Sequence, residues 1–491
     1  MKNLFIAILL SLLLGCGAGK YPITDTTKNP PGTLEKHFLS ATNDVRRLKE
    51  SFAYKTCPDK TSDDNCKKNW ANLLETYGFS STKISELTDK VQAYRIIYST
   101  PGAHNEYRSV SGGILIPNLS MDKIKGVILY YHPTDVSKHH IPSCFKYDSN
   151  LPSYCQGNTS YYGEELGIIA SQGYIVVMPD YVGQGYDYSV IHPYILYPEV
   201  NAQSGLNMLT ATKALLSEIN FSNNLPKNLY ISGFSEGASY ALWTSKLLQG
   251  TSANILINNG LTLKNTIGIS GAYDLKNAQL PMAAENISTD GENPYHILNT
   301  YNAGIAKPIL VSYALSAYGF YDLNQEYGTL MRPEFFNCPT CNLIEGKPTI
   351  ADLFNAANLK DDVIKKHILA AAATTGYVIN KNNSARALIF DNILDENSSF
   401  SNKLINAGIN NWKSTSPISL FYLNKDSVVT NLNSINAYNG IKALSGDNII
   451  KFQTIDNSKF YYFNDFTNRD EIIDHSQSEI FSLIAALSDF K

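Results

Sequence analysis

Two uninterrupted apolar runs, Gly126-Val-Ile-Leu-Tyr-Tyr131 and Tyr174-Ile-Val-Val-Met178, constrain the fold of this 491-residue chain more than any other feature. A strand that is apolar on both faces must be covered on both faces, which is the situation of a parallel sheet lying between helices. The sequence around the runs agrees. Met208, Ala211, Leu215 and Ile219 fall on one face of a helix before the next strand, Asn228–Ser232, and a helix over Ala238–Leu248 separates that strand from another at Thr266–Ser270. Upstream, Val91–Tyr98 and Ser109–Ile116 flank Pro101-Gly102 and read as a hairpin. Strand, helix, strand is the α/β pattern. It stops at Leu275 and resumes only at Ile418–Leu423 and Ile449–Gln453. The expected organisation is therefore a core in two parts, 51–274 and 415–491, split by a mainly helical insertion over 275–414.

The remaining N-terminal residues read as an address. Met1-Lys2 is followed by an apolar run from Leu4 to Leu14, broken only by Ser11, and then by Gly15 and Cys16. This is the form of a signal peptide, here 1–15, and it is well short of the roughly 20 residues that span a bilayer as a helix. Leu13-Leu-Gly-Cys16 resembles the bacterial lipobox, which implies cleavage before Cys16, a lipid on Cys16, and a protein held at the membrane of the cell envelope. Residues 16–50, polar and interrupted by Pro30-Pro31, are expected to be a tether. Seven cysteines are present, and removing Cys16 leaves three local couples: Cys57 with Cys66, Cys144 with Cys155, and Cys338 with Cys341. An exported protein meets an oxidising compartment, and loop proximity selects this pairing from the 15 that six cysteines allow. Cys338-Pro-Thr-Cys341 has no second ligand pair beside it, so no metal is expected. With 40 Lys+Arg against 44 Asp+Glu and 44% hydrophobic residues, the chain is neither disordered nor shaped for a polyanion, and nucleic acid is excluded as a partner.

Chemistry concentrates where strand Asn228–Ser232 runs into Gly233-Phe-Ser-Glu-Gly237 and a helix begins at once. A serine in such a sharp strand-to-helix turn exposes its Oγ from strained backbone, with a helix N-terminus behind it to favour developing negative charge. Ser235 is the candidate nucleophile, and it needs a base. In a chain order of serine, acid, histidine, only His296, His367 and His475 of the nine histidines follow Ser235, and the first two lie in the insertion. His475 is the candidate base, on a loop after the last strand and before a helix over Glu479–Phe490. Asp426, after strand Ile418–Leu423, is the candidate acid, with Asp274 its main competitor and Asp470 and Asp474 weaker ones. Two N–H groups must meet the tetrahedral oxyanion. The amide of Glu236 is one; since Pro133 has no N–H, Thr134 is the other, with His132 shaping that loop.

Gly233-Phe-Ser-Glu-Gly237, Tyr130-Tyr-His-Pro-Thr134, Asn424-Lys-Asp426-Ser-Val-Val429, His475, and Pro179-Asp180-Tyr-Val-Gly-Gln-Gly185 with His192-Pro-Tyr194 together resemble the α/β-hydrolase family, in its secreted lipase and esterase branch. The resemblance covers roughly residues 90–275 and 415–491. It implies hydrolysis of a small-molecule or lipid ester through an acyl-enzyme, without a cofactor, with the 275–414 insertion acting as a cap or lid that forms the acyl pocket. Asp180 and His192 then brace the loop beside the site. A prolyl-type exopeptidase of the same fold is the second reading, and a non-catalytic binding lipoprotein the third.

Overall fold

Alternation of burial along the strands builds the sheet's two faces. In the computed structural model, which describes residues 29–44, 88–284, 310–323 and 398–490 apart from isolated positions and short stretches within them, Val127 and Leu129 face one apolar layer and Ile128 and Tyr130 the other. The strands are β1 (Leu34–Asp44), β2 (Lys90–Pro101), β3 (Tyr107–Pro117), β4 (Gly126–Tyr131), β5 (Tyr174–Pro179), β6 (Asn228–Phe234), β7 (Thr262–Ile269), β8 (Ile418–Leu423) and β9 (Ile450–Ile455). They form one nine-stranded sheet in the order β1-β2-β3-β5-β4-β6-β7-β8-β9. The first three strands and the β3–β5 pairing are antiparallel, whereas β5-β4-β6-β7-β8-β9 run parallel. Every residue of β4 and β5 is buried, as the two apolar runs require.

Helices cover both faces. On one side lie α1 (Tyr162–Ala170) and α8 (Glu479–Ala486), which bury Leu166, Ile169, Leu483 and Ile484 against Ile128 and Val176. On the other lie α2 (Pro198–Glu218) and α3 (Glu236–Leu248), which bury Leu206, Leu209, Leu215 and Ala241 against Val127, Leu129 and Val177. The smaller helices are α4 (Ala253–Asn259), α5 (Leu280–Ala284), α6 (Ser399–Ala407) and α7 (Leu432–Ser445). Beyond α8 the Phe490 ring packs edge-on against Tyr230 at 5.7 Å, and the Tyr130 hydroxyl donates to Glu479 Oε1 at 2.5 Å, which ties this segment to the centre of the sheet.

Three findings differ from the sequence expectations. Leu34–Asp44, expected within the tether, is the edge strand β1 and pairs with β2 along its length. Its buried positions include the polar Ser40 and Asn43, while Phe38 and Leu39 are exposed, so it carries no apolar alternation to announce it. A small hairpin, β10 (Tyr461–Asn464) with β11 (Arg469–Ile472), stands between β9 and His475, where a loop was expected. The terminal helix spans Glu479–Ala486, shorter than the expected Glu479–Phe490.

Cys144 and Cys155 are disulfide-bonded, with Cα atoms 5.8 Å apart. Cys16, Cys57, Cys66, Cys338, Cys341, the 1–15 leader, His296, His367, Asp474 and most of the 275–414 insertion lie outside the described residues. What is described of the insertion, α5, helical backbone within residues 310–323, and α6, sits over the ends of the parallel strands. Among the described residues no helix is long and apolar enough to cross a membrane.

Candidate active site

Ser235 sits between β6 and α3 with φ 56° and ψ −121°, a left-handed backbone that costs a non-glycine residue roughly 1–3 kcal/mol. Glycines two residues to either side, Gly233 and Gly237, leave the turn room to close. A Cβ on Gly233 would lie 2.2 Å from the carbonyl oxygen of Gly237, and one on Gly237 would lie 2.1 Å from the carbonyl oxygen of Tyr131. Both close approaches serve the site: the first tightens the turn, and the second seats the N-terminus of α3 directly against the end of β4. The Ser235 amide donates to the Ile269 carbonyl at 2.9 Å, which holds the turn onto β7.

His475 lies within this assembly. Its Nδ1 is 2.8 Å from Asp426 Oδ2, and its ring packs on Phe234, the residue before Ser235, at 4.8 Å between centroids. Asp426 Oδ1 accepts from the amides of Val428 and Val429 at 2.9 and 2.8 Å, so the carboxylate is held from one side while the other oxygen meets the imidazole. Asp426 and His475 are both about 95% buried, where a charged hydrogen bond is stronger than in water. Asp274 is occupied elsewhere. It accepts from the Asn277 amide and from Asn436 Nδ2, while its own amide donates to Asn433, so it caps the turn leading to α5 and anchors it to α7. Asp470 lies in β11.

The loop after β4 lies beside the start of α3. Thr134 is half-buried, with Oγ1 3.3 Å from the Tyr194 hydroxyl. The first amides of a helix have no intrahelical acceptor, and Glu236 provides the first of α3. His132 is fully buried, and desolvation pushes its imidazole down to about 4, so it is neutral at physiological pH. Its Nδ1 is 2.7 Å from the Pro133 carbonyl, and its ring stacks on Tyr181 at 4.0 Å.

Residues 180–197 carry the far wall. Asp180 accepts from Ser111 Oγ at 2.6 Å and from the Ser143 amide at 2.9 Å, and burial pushes its carboxyl up to about 6. Asp187 pairs with Arg108, and Lys138 donates to the carbonyls of Tyr188 and Val190. His192 is completely buried: Nδ1 meets the Val182 carbonyl and Nε2 meets Glu236 Oε1, each at 2.8 Å. The Glu236 carboxyl, which accepts from Tyr240, and Tyr313 of the insertion, which stacks on Tyr194, are elements of the site that sequence reasoning missed. The one signal that could have found the carboxyl is an acidic residue inside an otherwise small and apolar helix start, Gly-Phe-Ser-Glu-Gly-Ala.

Ser235 and Glu236 line a solvent-open cavity of about 670 Å³. Its walls are apolar: Ile195, Leu275, Leu280, Ala283, Leu310, Val311, Ala314, Phe400, Leu404, Val428 and Val429, with Tyr194 and Gln279 as polar contributors. Most of these side chains come from the described part of the insertion. Among the described residues no cluster of three or more His, Cys, Asp and Glu side chains could hold a metal ion.

A mostly parallel sheet with helices on both faces, a serine in a strained turn after a central strand and an acid and a histidine after later strands is the α/β-hydrolase fold. Solved structures share it. The rice cell wall degrading esterase LipA from Xanthomonas oryzae aligns with a TM-score of 0.60 and 18% identity, over 94% of this chain and 98% of that one. A Legionella pneumophila protein with a provisional hydrolase assignment aligns with a TM-score of 0.61 and 16% identity, over 93% and 98%. Candida antarctica lipase A aligns with a TM-score of 0.50 and 12% identity, over 87% and 77%. No family model matches the sequence, and no curated protein matches it.

Proposed function

We propose that this chain is a serine hydrolase of carboxylic esters, with Ser235 as nucleophile, His475 as base and Asp426 as the acid that orients it. The observation that carries the reading is the buried Asp426–His475 hydrogen bond packed on Phe234, beside a strained Ser235 at the mouth of an apolar cavity. In this mechanism His475 takes the proton of Ser235 Oγ as the oxygen attacks the ester carbonyl. Asp426 fixes the tautomer that leaves Nε2 as the acceptor and stabilises the imidazolium that forms. The amides of Glu236 and Thr134 receive the oxyanion. His475 returns the proton to the leaving alcohol, and water repeats the cycle on the acyl-enzyme. The esterase and lipase among the structural neighbours support the same bond type.

The cavity favours esters over the exopeptidase reading. An aminopeptidase of this fold needs an anionic anchor for the substrate amine, and among the described residues the one carboxyl in the cavity wall, Glu236, is already bonded to His192 and Tyr240. A neutral acyl chain, in contrast, gains about 0.8 kcal/mol per methylene that such walls bury. The protein is further read as exported, with a lipid on Cys16 holding it at the cell envelope.

The test is labelling of the purified full chain with a fluorophosphonate, peptide mapping of the adduct, and hydrolysis of acyl esters beside aminoacyl-Pro amides. An adduct on Ser235, lost in Ser235→Ala together with ester hydrolysis, is expected. A folded protein that reacts with neither probe nor ester, or one that prefers the amides, would sink the proposal.

A further inference from the structure

The Glu236 carboxyl is buried to 2% exposure one residue from the nucleophile, and the mechanism above uses only its amide. Its Oε1 meets two groups. Tyr240 Oη receives the Ile195 amide at 3.0 Å and therefore donates its own proton to Oε1, at 2.5 Å. His192 Nε2 stands 2.8 Å away, while Nδ1 faces the Val182 carbonyl, which can only accept. Nδ1 thus carries a hydrogen, and a further proton must lie between Nε2 and Oε1 for that contact to be a hydrogen bond. The two side chains that hold that proton are almost wholly buried, where such a hydrogen bond is stronger than in water.

What the pair connects matters more than its own strength. On one side Glu236 belongs to the strained turn and supplies an oxyanion amide. On the other, His192 begins the segment that carries the cap: Tyr313 stacks on Tyr194 at 4.6 Å, and the Tyr321 hydroxyl donates to the Ile191 carbonyl at 2.5 Å. Between the two oxyanion walls, Tyr181 lies parallel to His132 at 4.0 Å and to His192 at 5.4 Å, and its hydroxyl donates to the His132 carbonyl at 2.7 Å. From these contacts we infer that His192 and Glu236 are positioning residues. Their shared proton locks the Glu236 amide to the loop that bears the cap, so that the oxyanion site is in register only when that loop is seated. The inference rests on the ester-hydrolase reading and adds a role for side chains that take no part in the bond changes.

The experiment measures the rate constant for fluorophosphonate labelling per titratable serine, with kcat and KM for an acyl ester, in the full chain and in His192→Asn, His192→Gln and Glu236→Gln. Asn keeps a donor for the Val182 carbonyl but cannot reach Glu236, whereas Gln can. In Glu236→Gln, the amide oxygen can still accept from Tyr240, but it can bond His192 Nε2 only if the imidazole carries the whole proton with no carboxylate to share it. The expected result is a per-site rate at least tenfold lower in His192→Asn and Glu236→Gln, borne by kcat with KM within about twofold, and a partial recovery in His192→Gln. A lower titratable fraction with an unchanged per-site rate would mean a purely structural role and overturns the inference. Should these variants not fold, Tyr240→Phe removes a single hydroxyl from the same oxygen; a severalfold slower per-site rate is expected, and an unchanged one overturns the inference. If the unaltered protein is not labelled at all, the ester-hydrolase reading itself fails, and this inference fails with it.

Discussion

Replacing Gly237 by alanine tests whether the oxyanion site depends on the approach of α3 to β4. The added Cβ would lie 2.1 Å from the Tyr131 carbonyl oxygen, 2.5 Å from its carbon and 2.6 Å from the His132 carbonyl oxygen. Ordinary contact begins at 3.4 Å, so the two backbones must separate by about 1.3 Å. Neither can yield cheaply, because Tyr131 is in register with Gly233 of β6 and its hydroxyl is bonded to Thr244 of α3. Overpacking of this kind costs on the order of 1–3 kcal/mol. A displacement of about 1 Å at reacting groups costs roughly a hundredfold in rate. Thermal unfolding and per-site phosphonylation of Gly237→Ala, compared with Gly250→Ala, should therefore show a destabilised protein with a rate lower by about two orders of magnitude. A Cβ on Gly250 would meet nothing closer than 3.5 Å, so that variant serves as the control. Loss of stability with an undiminished per-site rate would refute the assignment of the β4 loop to the oxyanion site.

The disulfide should matter to stability. Cys144 and Cys155 are 11 residues apart, so the paired Cys144→Ala, Cys155→Ala variant should lose about 2–3 kcal/mol in denaturant unfolding, and an equal midpoint would show the bond to be dispensable. Asp180, fully buried, has its carboxyl pushed up to about 6 from 3.8, so the folded state binds the extra proton between those values. Its contribution is present below pH 3.8 and lost as pH rises through 6: unfolding curves of the unaltered protein and Asp180→Asn should diverge by about 3 kcal/mol over that interval, the carboxylate form becoming the weaker, and parallel curves would contradict this. Leu404→Trp should fill space worth about two methylenes in the cavity. Long-chain esters should then lose about 1.6 kcal/mol, roughly fifteenfold in kcat/KM, relative to short ones, and an unaltered chain-length profile would place the acyl group elsewhere.

What could be read from the sequence is what local pattern encodes. β4 and β5 are unbroken apolar runs, and the turn at Ser235 is five consecutive residues with glycines where no Cβ fits. The choice between Asp274 and Asp426 was not local, since each follows a strand. It turns on Asn433 and Asn436, which engage Asp274 from α7. β1 escaped because an edge strand with buried Ser40 and Asn43 and exposed Phe38 has its polarity inverted. The Glu236 carboxyl escaped because its partners, His192 and Tyr240, lie 44 residues before it and 4 after it, and only the fold brings His192 there.

The docking of the C-terminal segment has a bearing on biosynthesis. Tyr130 and Glu479 meet across 349 residues, and Tyr174 reaches Phe490 across 316. A ribosome makes β4 to β7 and the Ser235 turn long before it makes His475. On the proposed mechanism, a nascent chain still lacking residues 475–490 would carry its serine without its base, and the sheet face that α8 shares with α1 would be only partly covered. Such a chain could not yet carry out the proposed reaction and would leave part of that apolar face open, so chaperones that recognise exposed apolar strands would have until the emergence of α8 to engage it.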